Sequence, residues 1–192
     1  MITPLSPGNE IVQMNDIAQV RQVLGRFQDG YTTRDMSKLD EFMELFSDDG
    51  VELIGIGASV RGGNEWFEGL GPIREIIESD WTYWGDVIID VEGAKITVLG
   101  DVAWLSTSGD LLQTPVLDKA MTFYVQQMQE LIADESADVE TRLMEATHFG
   151  LRRLREKHLG TGHRWPFVFT AVLARHGDGW RFRQVQFAMP VD

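Results

Sequence analysis

Four histidines, His148, His158, His163 and His176, are the side chains best suited to holding a metal or shuttling protons near neutral pH. No two share a helical face with a carboxylate at ligand distance, so the spacing predicts no metal centre. No serine stands in a Gly-x-Ser-x-Gly elbow. The chain has no cysteine, which removes disulfides, thiolate ligands and a thiol nucleophile together. Asp86 and Asp90 fall on one face of a candidate strand and can form a carboxylate pair, although both flank turns that meet water. Gly55, Gly57, Gly62 and Gly63 invite a phosphate-cradle reading. A dinucleotide fingerprint would need glycine where Val60 stands, and no Gly-Lys-Ser/Thr occurs, so that reading fails. Three further groups remain open between chemistry and structure. Tyr31 can offer a phenol to a pocket or serve as a core aromatic. Glu52 can act as a base or lie in solvent, on the opposite strand face from Leu53. Trp104 with Ser106 and Ser108 makes an aromatic wall with small hydroxyls, or plain core packing.

The elements that must position these groups are legible as periodicities. Ile17, Val20, Leu24, Phe27 and Tyr31 recur every three or four residues and predict an amphipathic helix, with Asn15 or Asp16 as N-cap. Leu39, Phe42, Met43 and Phe46 predict a second helix that stops at Ser47-Asp48-Asp49-Gly50. A strand is expected over Val51 to Gly55, then a helical stretch from about Asn64 to Glu78. β runs follow over Thr82 to Val91, Ala94 to Leu99, Val102 to Leu111, Arg164 to His176 and Gly179 to Met189, the last two joined through Gly177-Asp178-Gly179. Short turns imply antiparallel neighbours. Helices first and strands afterwards indicate α+β.

Between the strands, at about 114–162, the pattern is helical. Leu117, Met121, Tyr124, Met128 and Leu131 form one stripe, and Val139, Leu143, Ala146, Gly150 and Leu154 form another, with a turn over Ala133 to Ser136. Such a hairpin must hide its apolar stripe against the body, its partner helix or a second subunit.

The length of 192 residues fits a single domain over 1–192 with this helical hairpin inserted. A formal charge of -13 repels phosphate backbones and anionic lipid, so neither nucleic acid nor membrane is an expected partner. The basic run Arg152, Arg153, Arg155, Lys157, His158 closes a helical pattern, where cations complement the helix dipole. The first fifteen residues carry no basic, then apolar, leader pattern, and no window approaches roughly 18 apolar residues. A cytoplasmic location is expected.

The stretch FVFTAVLARHGDGWRFRQVQFAMP resembles the carboxy-terminal signature of SnoaL-like domains. LDEFMELFSDDGVELIG and VLGDVAWLS resemble the superfamily's helix-Asp-Asp-strand passage and its mid-sheet strand. The resemblance spans about 15 to 111 and 164 to 190. It places the chain near the nuclear-transport-factor-two-like and ketosteroid-isomerase-like proteins. It implies a cone-shaped, curved antiparallel sheet packed with amino-terminal helices around a pocket.

Fold sets only a weak prior on reaction. Compared with the isomerase pattern, Val51-Glu52-Leu53 lacks the shuttle aspartate, Phe27 stands where an oxyanion-hole tyrosine would, and Thr170 or Ala171 replaces the protonated acid. Gln186 and Ala188 replace a histidine and a serine common in SnoaL-like relatives, and Val168 replaces an arginine. The resemblance therefore implies a pocket lined by Phe27, Tyr31, Trp104, Thr170, Gln184 and Gln186, with no assigned catalytic residue, no cofactor and no metal. The expected function is binding of a small apolar, polyketide- or steroid-like ligand by a homodimer. The alternatives are a cofactor-independent cyclase, isomerase or dehydratase, and a dimeric assembly domain.

Overall fold

The computed structural model describes residues 7–58, 61, 65–114, 117–177 and 179–189. Val60, Gly62, Gly63 and Asp178, which entered the glycine-loop and hairpin expectations, and the first six residues, lie outside them. Among the described residues five helices and seven strands follow one another: α1 (Pro7–Thr33), a 3-10 turn (Met36–Lys38), α2 (Leu39–Met43), β1 (Glu52–Ile54), β2 (Trp66–Glu68), α3 (Leu70–Tyr83), β3 (Asp86–Ile89), β4 (Lys95–Leu99), β5 (Val102–Leu112), α4 (Leu117–Ala133), α5 (Val139–Leu159), β6 (Arg164–His176) and β7 (Gly179–Ala188). The α+β class stands.

The strands form one curved, unclosed sheet in the order β2-β1-β7-β6-β5-β3. The eleven residues of β5 pair with β4 over their first half and β3 over their second. One pairing departs from the antiparallel expectation: β1 runs parallel to β7, Leu53 opposite Val185. Phe46 already bridges Phe182 in parallel, so the chain enters β1 moving the same way as its neighbour.

The apolar stripe of α1 lies on the concave face, where Val20, Leu24, Phe27 and Tyr31 are fully buried. Phe27 is its centre, with the rings of Tyr31, Phe42, Phe169 and Phe182 between 5.0 and 5.6 Å from its own. Asn15 and Asp16 lie inside α1, which begins at Pro7. Proline suits a first turn whose N–H groups lack partners anyway, and buried Asp16 pairs with Arg175 at 2.8 Å instead of capping.

Two local expectations yield to packing. Asn64, the expected helix start, lies outside the described residues, and the stretch after it holds strand β2 before α3; the β-prone Thr82-Tyr83-Trp84 is largely the end of α3. Ile73, Ile77 and Trp81 carry a buried stripe that far, and Trp81 packs edge-on against Phe42 at 5.0 Å. That burial outweighs a weak strand propensity. Gly85 then turns the chain where a Cβ would sit 2.2 Å from the Leu112 carbonyl oxygen.

The hairpin of α4 and α5 buries only part of its expected apolar stripes, Tyr124 on α4 and the small Ala146 and Gly150 on α5. Val139, Leu143 and Leu154 are exposed, while Ala146, Gly150 and Glu156 are buried. Small residues permit close helix contact; a Cβ on Gly150 would meet Met128 at 2.8 Å. Gln113 and Trp165 hold the end of α5, as Gln113 Nε2 donates to the Glu156 carbonyl at 2.5 Å and Trp165 Nε1 donates to Gln113 Oε1 at 2.9 Å.

Candidate active site

A cavity of about 310 Å³ opens beside the filled centre of the cone, between β1, β2, β7, α3 and the helical hairpin. Its walls are largely aromatic: Phe67, Trp84, Phe123, Tyr124, Phe149 and Phe187. Ile73, Ile77 and Trp81 turn one stripe of α3 into the core. The adjoining positions Ile76, Ser79, Asp80 and Tyr83 therefore face the hollow, as spacings of three and four on a helix require.

Asp80 is the chemically distinctive group. Tyr31 Oη donates to Asp80 Oδ2 at 3.0 Å, and among the described residues no hydrogen bond reaches Oδ1. Burial raises the carboxyl pKa to about 7; the Tyr31 hydrogen bond opposes the rise, nearby Glu65 adds to it, and Arg153 and Arg152 oppose it. Burial and the adjacent carboxylate also push the Tyr31 phenol well above its ordinary value, so it remains a donor. A carboxyl poised near neutrality, anchored at one oxygen and open at the other, can take and return a proton. Tyr31→Phe removes the opposing hydrogen bond, so the Asp80 midpoint should move above 7 in a carboxyl NMR titration. An unchanged or lower midpoint would show that the phenol does not hold the carboxyl pKa down.

The hairpin contributes Arg152 and Arg153. Arg152 Nη1 lies 3.1 Å from Glu65 Oε1, and Arg153 Nη1 lies 2.7 Å from Glu156 Oε2. The Arg153 guanidinium also covers the rings of Tyr124 and Phe149 at 4.7 and 5.1 Å.

None of the six residues expected to line a pocket borders this cavity. Phe27 and Tyr31 are core, and Tyr31 acts through Asp80. Trp104, Thr170, Gln184 and Gln186 lie on the outer face of the sheet, with Trp104 45% exposed; Gln184 Nε2 donates to Glu52 Oε2 at 3.2 Å. The reversal on β7 has a local cause. Leu173 pairs with Phe182 but Val172 pairs with Gln184, leaving Arg183 as an extra residue. A bulge shifts the alternation by one, so Trp180 and Phe182 point inward before it and Val185 and Phe187 after it. Asp86 meets Arg34 at 2.5 Å and Asp90 accepts from the Gly93 N–H at 2.9 Å, so these two serve structure. No cluster of three metal-binding side chains occurs among the described residues. The overlooked signal was Asp80 itself, a carboxylate beside the apolar stripe of α3, three residues after Ile77.

The family model for the SnoaL-like domain matches residues 20–125, more than half of the chain. The chain belongs to the SnoaL-like family. The matched stretch holds Tyr31 and Asp80 and ends within α4, so α5 with Arg152 and Arg153 lies beyond it. No curated protein matches the sequence. Among solved structures, this SnoaL-like chain is similar to a protein with a cystatin-like fold from Novosphingobium aromaticivorans, described as nuclear transport factor 2-like. That pair has TM-score 0.58 and 13% identity, covering 95% of this chain and 86% of that one. A ketosteroid isomerase-like protein from Erwinia carotovora atroseptica gives TM-score 0.56 at 13% identity, covering 92% and 98%. A nuclear transport factor 2 superfamily protein from Salmonella enterica gives 0.57 at 11%, covering 93% and 94%. At these identities the likeness is one of fold. No described helix is long and apolar enough to cross a membrane.

Proposed function

We propose that this SnoaL-like protein is a cofactor-independent enzyme of the isomerase, dehydratase or cyclase type, acting on a small, largely apolar ring compound with a carbonyl group. The supporting observation is Asp80, whose free Oδ1 belongs to a carboxyl with pKa about 7 at the wall of an aromatic cavity. Oδ1 takes a proton from the carbon next to the carbonyl and returns it at another position, while Tyr31 holds Oδ2 in place. Ser79 and Gln127, also on the wall, supply polar groups for a substrate oxygen. The missing shuttle aspartate at Leu53 favoured a binding role without turnover; a carboxyl supplied by α3 removes that objection.

Bicyclic ketones such as 2-tetralone, incubated with the protein in deuterium oxide, test the proposal by NMR. Exchange beside the carbonyl should exceed the buffer rate and follow a group titrating near 7. Ligand retained in native mass spectrometry, without exchange across a ketone panel, would instead support binding alone.

We further propose one domain over 1–192 that pairs as a homodimer through the outer sheet face. Leu99, Val102, Trp104 and Val168 expose 73, 45, 45 and 52% of their surface there. Wild-type protein should sediment as a dimer and Trp104→Glu as a monomer. A monomeric wild type would remove this part of the proposal.

A further inference from the structure

Two arginines in an aromatic cavity suggest an anion clamp, but their partners point the other way. Arg152 lies between Glu65 Oε1 at 3.1 Å and Glu156 Oε1 at 3.4 Å, and Arg153 Nη1 reaches both oxygens of Glu156 at 2.9 and 2.7 Å. Two cations meet two carboxylates. Asp80 is then the remaining charge among the described groups on the wall, and it is negative once ionised.

Glu65 is held for this position with unusual care. Its backbone adopts φ 58°, in the left-handed region that non-glycine residues seldom occupy. Its Oε2 accepts the Gly57 N–H at 2.6 Å, and a Cβ on Gly55 would sit 2.6 Å from that same oxygen. Gly55 and Gly57 thus lie against one oxygen of this carboxylate, and its second oxygen meets a cation carried by the hairpin.

We infer that Glu65 is a specificity-determining residue: by neutralising Arg152 it makes the cavity select uncharged flat rings and reject ligands bearing a carboxylate. An anionic ligand would meet Asp80 and Glu65 without an uncommitted cation, and like charges facing each other across a half-buried wall oppose binding. A neutral ring keeps the aromatic contacts and can donate a hydrogen bond to Asp80 Oδ1. The inference rests on the cavity being a ligand site; it does not need Asp80 to be catalytic.

Calorimetric titration with 2-naphthol and 2-naphthoate at about pH 8 tests it, because the two share a ring system and differ in charge. Wild type should bind naphthol at least roughly ten-fold more tightly than naphthoate. Glu65→Gln should improve naphthoate binding by about ten-fold and leave naphthol within about two-fold, whereas Arg152→Gln should widen the gap. A purely structural latch would change both ligands together. Equal or tighter naphthoate binding by wild type, or a ratio unmoved in both variants, overturns the inference. Failure of both probes to bind overturns the ligand-cavity reading along with it. Normal discrimination without ketone exchange leaves the inference standing and removes only the catalytic proposal.

Discussion

Asp80→Asn should lower ketone proton exchange by about 10²–10⁴-fold, the usual worth of a positioned acid–base group, while making the folded protein more stable above neutral pH. Asparagine preserves the side-chain shape and can still accept from Tyr31, but it cannot carry a proton through a cycle. The stability effect follows from linkage. The folded carboxyl titrates near 7 against an ordinary 3.8, so between those values the folded state holds a proton that the unfolded state has released. Stability from this group is complete below 3.8, falls as pH rises, and is lost above about 7. The full change is about 4 kcal/mol as an upper bound, at roughly 1.4 kcal/mol per pKa unit. Urea unfolding of wild type should therefore show a downward slope through this range that is flattened in Asp80→Asn. Parallel pH profiles, or exchange that survives the substitution, would remove Asp80 from the mechanism. The destabilised group is kept where chemistry needs it, a common trade at active sites.

Phe27→Ala should cost about 3–5 kcal/mol of folding free energy, since it empties the centre of the aromatic core. The ring is fully buried and touches aromatic neighbours from α1, α2, β6 and β7, so no single element can move to refill the space. Against a total stability of about 5–15 kcal/mol, that is enough to unfold a substantial fraction near physiological temperature. Urea denaturation measures it directly. A loss below about 1 kcal/mol, combined with altered ligand affinity, would return Phe27 to the pocket lining that the isomerase resemblance implied.

The contrast between Phe27 and Asp80 explains how much of the site was readable in advance. The stripe through Val20, Leu24, Phe27 and Tyr31 has an unmistakable helical period, and its burial followed. Whether its far end met a ligand or other side chains depended on rings contributed by β6 and β7, more than 130 positions away in the chain. Asp80 had no motif around it. Its chemistry arises because α3 turns that carboxylate toward the Tyr31 phenol, 49 residues distant, and the hairpin completes the cavity that Asp80 borders. On β7, Gln184 and Gln186 exchanged faces because one extra residue at Arg183 broke the alternation.

Residue order alone determined the α+β class, the family, the succession of helices and strands, and the lack of thiol chemistry, because these depend on local periodicity, turn residues and composition. Tertiary structure decided which face of each element is inside, where the hollow lies and what charge its walls carry. Those properties come from groups remote in sequence meeting in a half-buried space, where contact and burial set the proton affinity of Asp80 and join Arg152 to Glu65.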